Sequence, residues 1–216
     1  MQERLKTKGY GKGAKSVVIL AHGAGAPMDS LFMESLAAAL EAQGIANVRF
    51  EFPYMIRRRE DGRKRPPDRQ PALLTAYREE VDRVRRELGD DVRLLVAGKS
   101  MGGRMASLLA SESSEGIDGV VCYGYPFHPP GKVDRWRIDH LANLKVPVLV
   151  IQGTRDPFGK PSELDAQGSI PGISRLCWLE GGNHDFQPLV RQPESQSDLI
   201  TRAALHTRQF IEEALV

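Results

Sequence analysis

Cysteine is almost missing from this sequence: of 216 residues, only Cys122 and Cys177 carry a thiol. Two thiols are too few for a disulfide scaffold, and no metal-ligand spacing surrounds them, so each reads as a small buried hydrophobe. No apolar run approaches the ~18 residues of a membrane span, which speaks against membrane insertion. The opening stretch, MQERLKTKGYGKG, lacks an apolar core; no signal peptide is expected, and the expected location is cytoplasmic. Neither charge sign dominates. The net charge is +2, too mild to imply a nucleic-acid partner. There is no internal repeat. What is present is an ordinary globular composition, 41% hydrophobic and 27% charged, long enough for one domain spanning 1–216 with a sizeable core.

Short apolar runs alternate with helical patterns. Val17–Ala21 is continuously apolar, as a strand covered on both faces would be. Asp29 or Ser30 can cap a helix carrying Phe32, Leu36 and Leu40, which ends near Gly44. Val48 to Phe52 alternates with period two, predicting a strand with one more polar face. Leu74, Tyr77, Val81, Val84 and Leu88 recur at helical spacing before Gly89. Further strands are expected at Val92–Ala97, Val120–Tyr123, Val146–Gln152 and Arg175–Leu179, and helices from Met101 and around Ile200 to Ile211. Strands alternating with helices predict a mainly parallel, twisted α/β sheet of about six to seven strands, with helices on both faces. The segment Arg57 to Arg69, RRREDGRKRPPDR, holds seven basic and three acidic residues and reads as a long surface loop.

Gly98-Lys99-Ser100 could end a phosphate-binding loop or hold a nucleophile. A phosphate loop, G-x-x-x-x-G-K-[ST], needs glycine at position 93, which is Arg93; residues 94–97 are strand core besides. A dinucleotide fingerprint over the 22–27 loop, with Glu51 as the ribose acid, needs glycine at position 28, which is Met28. Gly98-Lys99-Ser100-Met101-Gly102 instead matches G-x-S-x-G. In that motif the serine sits at a sharp strand-to-helix turn, flanked by glycines because the backbones approach too closely for a Cβ.

A serine hydroxyl needs a base, and the base needs an acid to fix its tautomer. The expected chain order is Ser, acid, His, each after a later strand. Asp156 follows the strand ending at Gln152, and His184 follows the strand ending at Leu179. Glu180 and Asp185 are competing acids, too near the histidine in sequence to reach its far nitrogen. Oxyanion donors are expected from the backbone N–H of Met101 and, in the loop His22 to Pro27, of Ala24. No metal or organic cofactor is expected.

With these residues in place, the chain resembles the α/β-hydrolases. More narrowly, it resembles the dienelactone-hydrolase-like group with testis-expressed and chromatin-complex-subunit relatives. The carrying segments are AHGAGAPMDS (21–30), GKSMGGRMAS (98–107), GYPFHPPGK (124–132) and QGTRDPFG (152–159). The resemblance implies a Ser-Asp-His site at Ser100, Asp156 and His184. Dienelactone hydrolases usually carry cysteine at the nucleophile position; Ser100 stands there, so the resemblance does not imply dienelactone as substrate. Members that act as complex subunits supply the alternative, a non-catalytic binding module.

The expected activity is cleavage of a small carboxylic ester or related acyl bond. Only about twenty residues separate the strands near Tyr123 and Val146, so a minimal cap over an open cleft is expected. Tyr125, Phe127 and His128 are candidates to line it, with Trp136. Arg57 and Arg58 are candidates to receive an anionic group of the substrate, because guanidinium forks suit carboxylates.

Overall fold

The computed structural model describes residues 5–9 and 13–214. Seven strands form one sheet: β1 (Leu5–Lys8), β2 (Ser16–Ala21), β3 (Ala46–Phe50), β4 (Arg93–Lys99), β5 (Gly119–Tyr123), β6 (Val148–Gly153) and β7 (Arg175–Leu179). Their order is β1-β3-β2-β4-β5-β6-β7. Every pairing is parallel except the edge pair β1–β3. The central strands read as unbroken apolar runs because both faces are covered. α1 (Leu31–Ala42) and α6 (Gln196–Ala214) pack on one face, over Val18, Leu20, Leu95 and Ala97. α3 (Gln70–Leu88), α4 (Met101–Glu112) and a 3-10 turn at Asp139–Asn143 cover the other, over Val17, Ile19, Leu94 and Val96. The alternating inward residues of each strand thus feed two separate apolar layers.

The structure departs from the sequence expectations in three places. β3 ends at Phe50, and its polar residues do not face water: Asn47 and Arg49 are buried. α1 covers them, with Asn47 Nδ2 donating to Ala37 O and Arg49 Nη1 donating to Met28 O and pairing with Glu34. Second, the basic segment is not one long loop. Its first part belongs to α2 (Pro53–Asp61), which Pro53 opens at a position needing no N–H and Gly62 closes at φ 69°. Arg58 and Arg59 fall in the last turn of α2, where cations complement the helix dipole. Third, α5 (Pro161–Gln167) and β1 carry too few apolar residues to stand out in the sequence.

At the N-terminus of α1, Ser30 occupies the cap position without a side-chain cap bond. Cys122 is buried as expected; Cys177 is half-buried.

The 3-10 turn brings His140 onto α4. Ser107 Oγ, which donates to Arg104 O, lies 2.8 Å from His140 Nε2. Burial and then the Arg104 charge lower the histidine pKa to about 4, against a small opposing pull from Asp139. The unfolded chain therefore takes up this proton first as pH falls. Stability present above about pH 6.5 is lost progressively toward pH 4, on the order of 1–2 kcal/mol once solvent screening is allowed for. Urea unfolding at pH 7 and pH 4.5 is expected to show a smaller loss in His140→Gln than in the parent chain. Equal losses would exclude His140 as the titrating group.

Candidate active site

β4 runs directly into α4, and Ser100 is the single residue between them. It adopts φ 53°, ψ −115°, a region that side chains rarely occupy. Close packing on both sides maintains the turn. A Cβ on Gly98 would lie 2.6 Å from Gly103 N and 2.8 Å from Ala21 O. Ser100 N donates to Tyr123 O at 2.9 Å, tying the turn to the neighbouring strand. The Ser100 side chain makes no cap bond to its own helix, so its hydroxyl stays available.

That hydroxyl lies 2.9 Å from His184 Nε2, and His184 Nδ1 lies 2.7 Å from Asp156 Oδ2. Three residues far apart in the sequence, 84 positions between Ser100 and His184 and 28 between Asp156 and His184, meet because each follows a parallel strand, and parallel strands end on the same rim. Asp156 is fully buried. Its Oδ2 also accepts from Gln152 Nε2 at 3.0 Å, and its Oδ1 accepts from Phe158 N at 2.9 Å. A carboxylate surrounded by donors can only accept, so His184 Nδ1 carries the proton and Nε2 faces the serine as the acceptor. The Phe158 ring, 4.4 Å from the imidazole by centroids, holds its plane.

The loop after β2 lies across from this row. Ala24 is exposed, and Tyr54 of α2 donates its hydroxyl to Ala24 O at 3.0 Å. His22 is buried, and burial lowers its pKa. Neutral, it donates from Nδ1 to Gly23 O at 2.7 Å and accepts at Nε2 from Phe52 N at 3.2 Å. Two side chains thus fix the loop. Among the described residues, neither the Met101 nor the Ala24 N–H has a hydrogen-bond acceptor.

Other expected residues lie elsewhere. Tyr125, Phe127 and His128 do not line an open cleft, for all three are fully buried. Tyr125 donates to Arg137 O at 2.7 Å, Phe127 packs edge-on to Tyr125, and His128 reaches Glu163 at 3.2 Å. They pin the segment after β5 down onto the sheet. Arg57 pairs with Asp68, Arg59 with Glu51 and Asp29, and Arg65 with Asp61, so three of the segment's seven basic residues are answered by carboxylates. Arg58 donates to Gly25 O at 3.3 Å.

Lys99 fills the unspecified second position of G-x-S-x-G, to which the motif assigns no role. Its amine is buried, 3.3 Å from Asp185 Oδ1 and 5.4 Å from the centre of the Phe32 ring. Burial lowers its pKa, and Asp185 and Asp156 oppose that shift. Asp185, a rival for the role of orienting acid, is thus engaged by Lys99. Gln152, Lys99 and His22 share one sequence signal: each is a polar residue at or next to the end of an otherwise apolar strand.

Similarity to solved structures extends over nearly the whole chain. A dienelactone hydrolase from Anabaena variabilis superposes with a TM-score of 0.71 at 22% identity, covering 94% of this chain and 88% of that one. Est1E from Butyrivibrio proteoclasticus with ferulic acid bound gives 0.69 at 16% identity, covering 97% and 95%. A monoacylglycerol lipase from Paleococcus ferrophilus gives 0.67 at 14%, covering 97% and 99%. At these identities the likeness is one of fold, and that fold is the α/β-hydrolase arrangement. Residues 14–212 also match the model of the alpha/beta hydrolase domain, and the chain belongs to that family.

Proposed function

We propose that the protein is a serine hydrolase that cleaves carboxylic esters or related acyl bonds through an acyl-enzyme. The observation that carries the reading is the unbroken row Ser100 Oγ–His184 Nε2, 2.9 Å, and His184 Nδ1–Asp156 Oδ2, 2.7 Å. In this reading Ser100 Oγ attacks the substrate carbonyl carbon while His184 Nε2 takes the hydroxyl proton. Asp156 holds the ring and stabilises the imidazolium. The carbonyl oxygen becomes an oxyanion facing the Met101 and Ala24 amides, donors worth roughly 3–4 kcal/mol each by comparison with measured cases. His184 then returns the proton to the leaving group, and the bond to that group breaks. Water, deprotonated by the same imidazole, releases the acid from Ser100.

Est1E, which has ferulic acid bound, and the lipase neighbour are consistent with ester substrates. We place the chain in the dienelactone-hydrolase-like group on its four carrying segments, with an ester other than a dienelactone as the substrate.

A fluorophosphonate probe tests the reading directly. Covalent labelling of the native protein is expected, mapped to Ser100 by peptide mass, and absent from Ser100→Ala. An unlabelled native protein, folded by circular dichroism, would favour the non-catalytic binding module.

A further inference from the structure

His184 stands in a turn that closes on itself. Asn183 Oδ1 accepts from Asp185 N at 2.9 Å and from Gln187 N at 3.0 Å, and Asn183 N donates to Gln187 O at 3.1 Å. Among the described residues, neither the His184 N–H nor its carbonyl has a hydrogen-bond partner. The turn is braced within itself, so its seat on the sheet must come from the side chains beside His184. Two of them are anchored. Phe186, at φ 58°, is fully buried and packs edge-on against Phe32, with ring centres 5.4 Å apart. Asp185 brings its carboxylate to Lys99 Nζ at 3.3 Å.

Among the described residues, Lys99 is the one buried lysine. A Cβ on Gly23 would lie 3.8 Å from Lys99 Cγ, so the stem runs against the loop after β2. A Cβ on Gly124 would lie 3.4 Å from both Lys99 Nζ and His184 Nδ1. The amine therefore passes the imidazole through space that a glycine leaves open. One side chain, next in sequence to Ser100, thus meets the loop after β2 and the loop after β7.

The ion pair is lopsided: the Asp185 side chain is 66% exposed and that of Lys99 only 7%. An exposed carboxylate gains little from pairing, because water already serves it. A buried ammonium has lost its water and is costly unless an anion stays beside it. Lys99 therefore draws Asp185 inward, and His184 comes with it.

We propose that Lys99 is a positioning residue: its ammonium latches the His184 turn, through Asp185, to the strand end that carries Ser100, and so keeps the imidazole within reach of the hydroxyl. The proposal rests on the serine-hydrolase reading for its kinetic consequences only.

Lys99→Met keeps an apolar stem and removes the charge. Asp185→Ala removes the exposed partner and keeps the N–H that Asn183 accepts. Each is expected to lower kcat for p-nitrophenyl acetate by about fivefold or more, with KM changed by less than about twofold, at a temperature where melting curves show the variants folded. The double variant is expected to match Lys99→Met alone, since a latch already open has nothing more to lose. Direction separates a latch from a field effect. The two side chains carry opposite charges, so a field acting on Ser100 and His184 would move kcat in opposite directions in the two single variants. Opposite directions, multiplying losses in the double variant, losses in KM alone or an unchanged kcat would each overturn the latch. If Lys99→Met does not fold, kcat and KM of Asp185→Ala decide.

A second measurement needs no turnover. The His184 Nδ1 proton, held against Asp156 Oδ2 at 2.7 Å, is expected to give a low-field NMR resonance, identified by its absence from His184→Gln. That resonance is expected to broaden or vanish in Asp185→Ala under conditions where the native signal is sharp. An equally sharp resonance in Asp185→Ala would overturn the latch. A native protein without esterase activity, whose resonance still depends on Asp185, would keep the latch and remove the catalytic reading.

Discussion

Asp156→Asn is expected to lower kcat/KM for p-nitrophenyl acetate about ten-thousandfold, by analogy with the measured effect of this change in other triads, while the protein stays folded. The reason lies in the donor count around the carboxylate. His184 Nδ1 and Gln152 Nε2 converge on Oδ2, and Phe158 N points at Oδ1. An asparagine side chain offers one acceptor and one donor in place of two acceptors. If its oxygen faces Phe158 N, its NH2 meets the imidazole. His184 then presents a bare Nδ1 to the amide and carries its proton on Nε2, where it can no longer accept from Ser100. If the amide turns the other way, its NH2 opposes the Phe158 N–H in a fully buried pocket, leaving a donor unsatisfied at a cost of about 1–3 kcal/mol. The first arrangement costs less, because Gln152 Nε2, which it also turns against the NH2, keeps Tyr125 O and Gly159 O as acceptors, so the loss is expected in kcat with the melting temperature little changed. A variant that keeps a tenth of the activity would show that another acid orients His184, and Asp185, 3.3 Å from Lys99, would be the one to change next.

Much of this arrangement is legible in the sequence because strand ends can be found there. Buried parallel strands are apolar throughout, so the residues that follow each apolar run fall on the rim; Ser100 directly follows β4, and Asp156 and His184 lie in the loops after β6 and β7. The alternation in β3 misled for the same physical reason. Period-two polarity signals solvent only when nothing covers that face, and α1 covers Asn47 and Arg49 with partners supplied from distant positions. The basic segment misled differently. Charge alone says surface, but Pro53 and Gly62 bracket a helix, and the ion pairs to Asp29, Glu51 and Asp68 depend on tertiary placement. Tyr125, Phe127 and His128 looked like a cleft lining because aromatic residues after a strand serve either purpose. Their inward turn depends on Arg137 and Glu163 closing the segment from outside it.

Gly102→Ala should destabilise the protein by about 3 kcal/mol, the upper end of overpacking costs, lowering the melting temperature by roughly 6–12 °C for a chain of this size. Helix propensity alone gives the opposite sign, since alanine is favoured over glycine by about 1 kcal/mol in a helix interior. Contact geometry decides against propensity here. The new Cβ would overlap Ala21 O and sit 2.7 Å from His22 O. Both are main-chain atoms at the end of β2, so no side chain can rotate aside. Either α4 lifts from the sheet, or the chain carrying His22 moves away from α4. The second route displaces the loop that Tyr54 holds through Ala24 O, and with it a donor assigned to the oxyanion. The remaining folded protein should therefore lose activity beyond what its reduced stability explains, through kcat more than KM, because the oxyanion develops only during the reaction. Thermal melting and steady-state kinetics at 15 °C, where the variant is still folded, read the two effects separately. An unchanged or raised melting temperature would mean that β2 and α4 are not pressed together as closely as the turn at Ser100 requires.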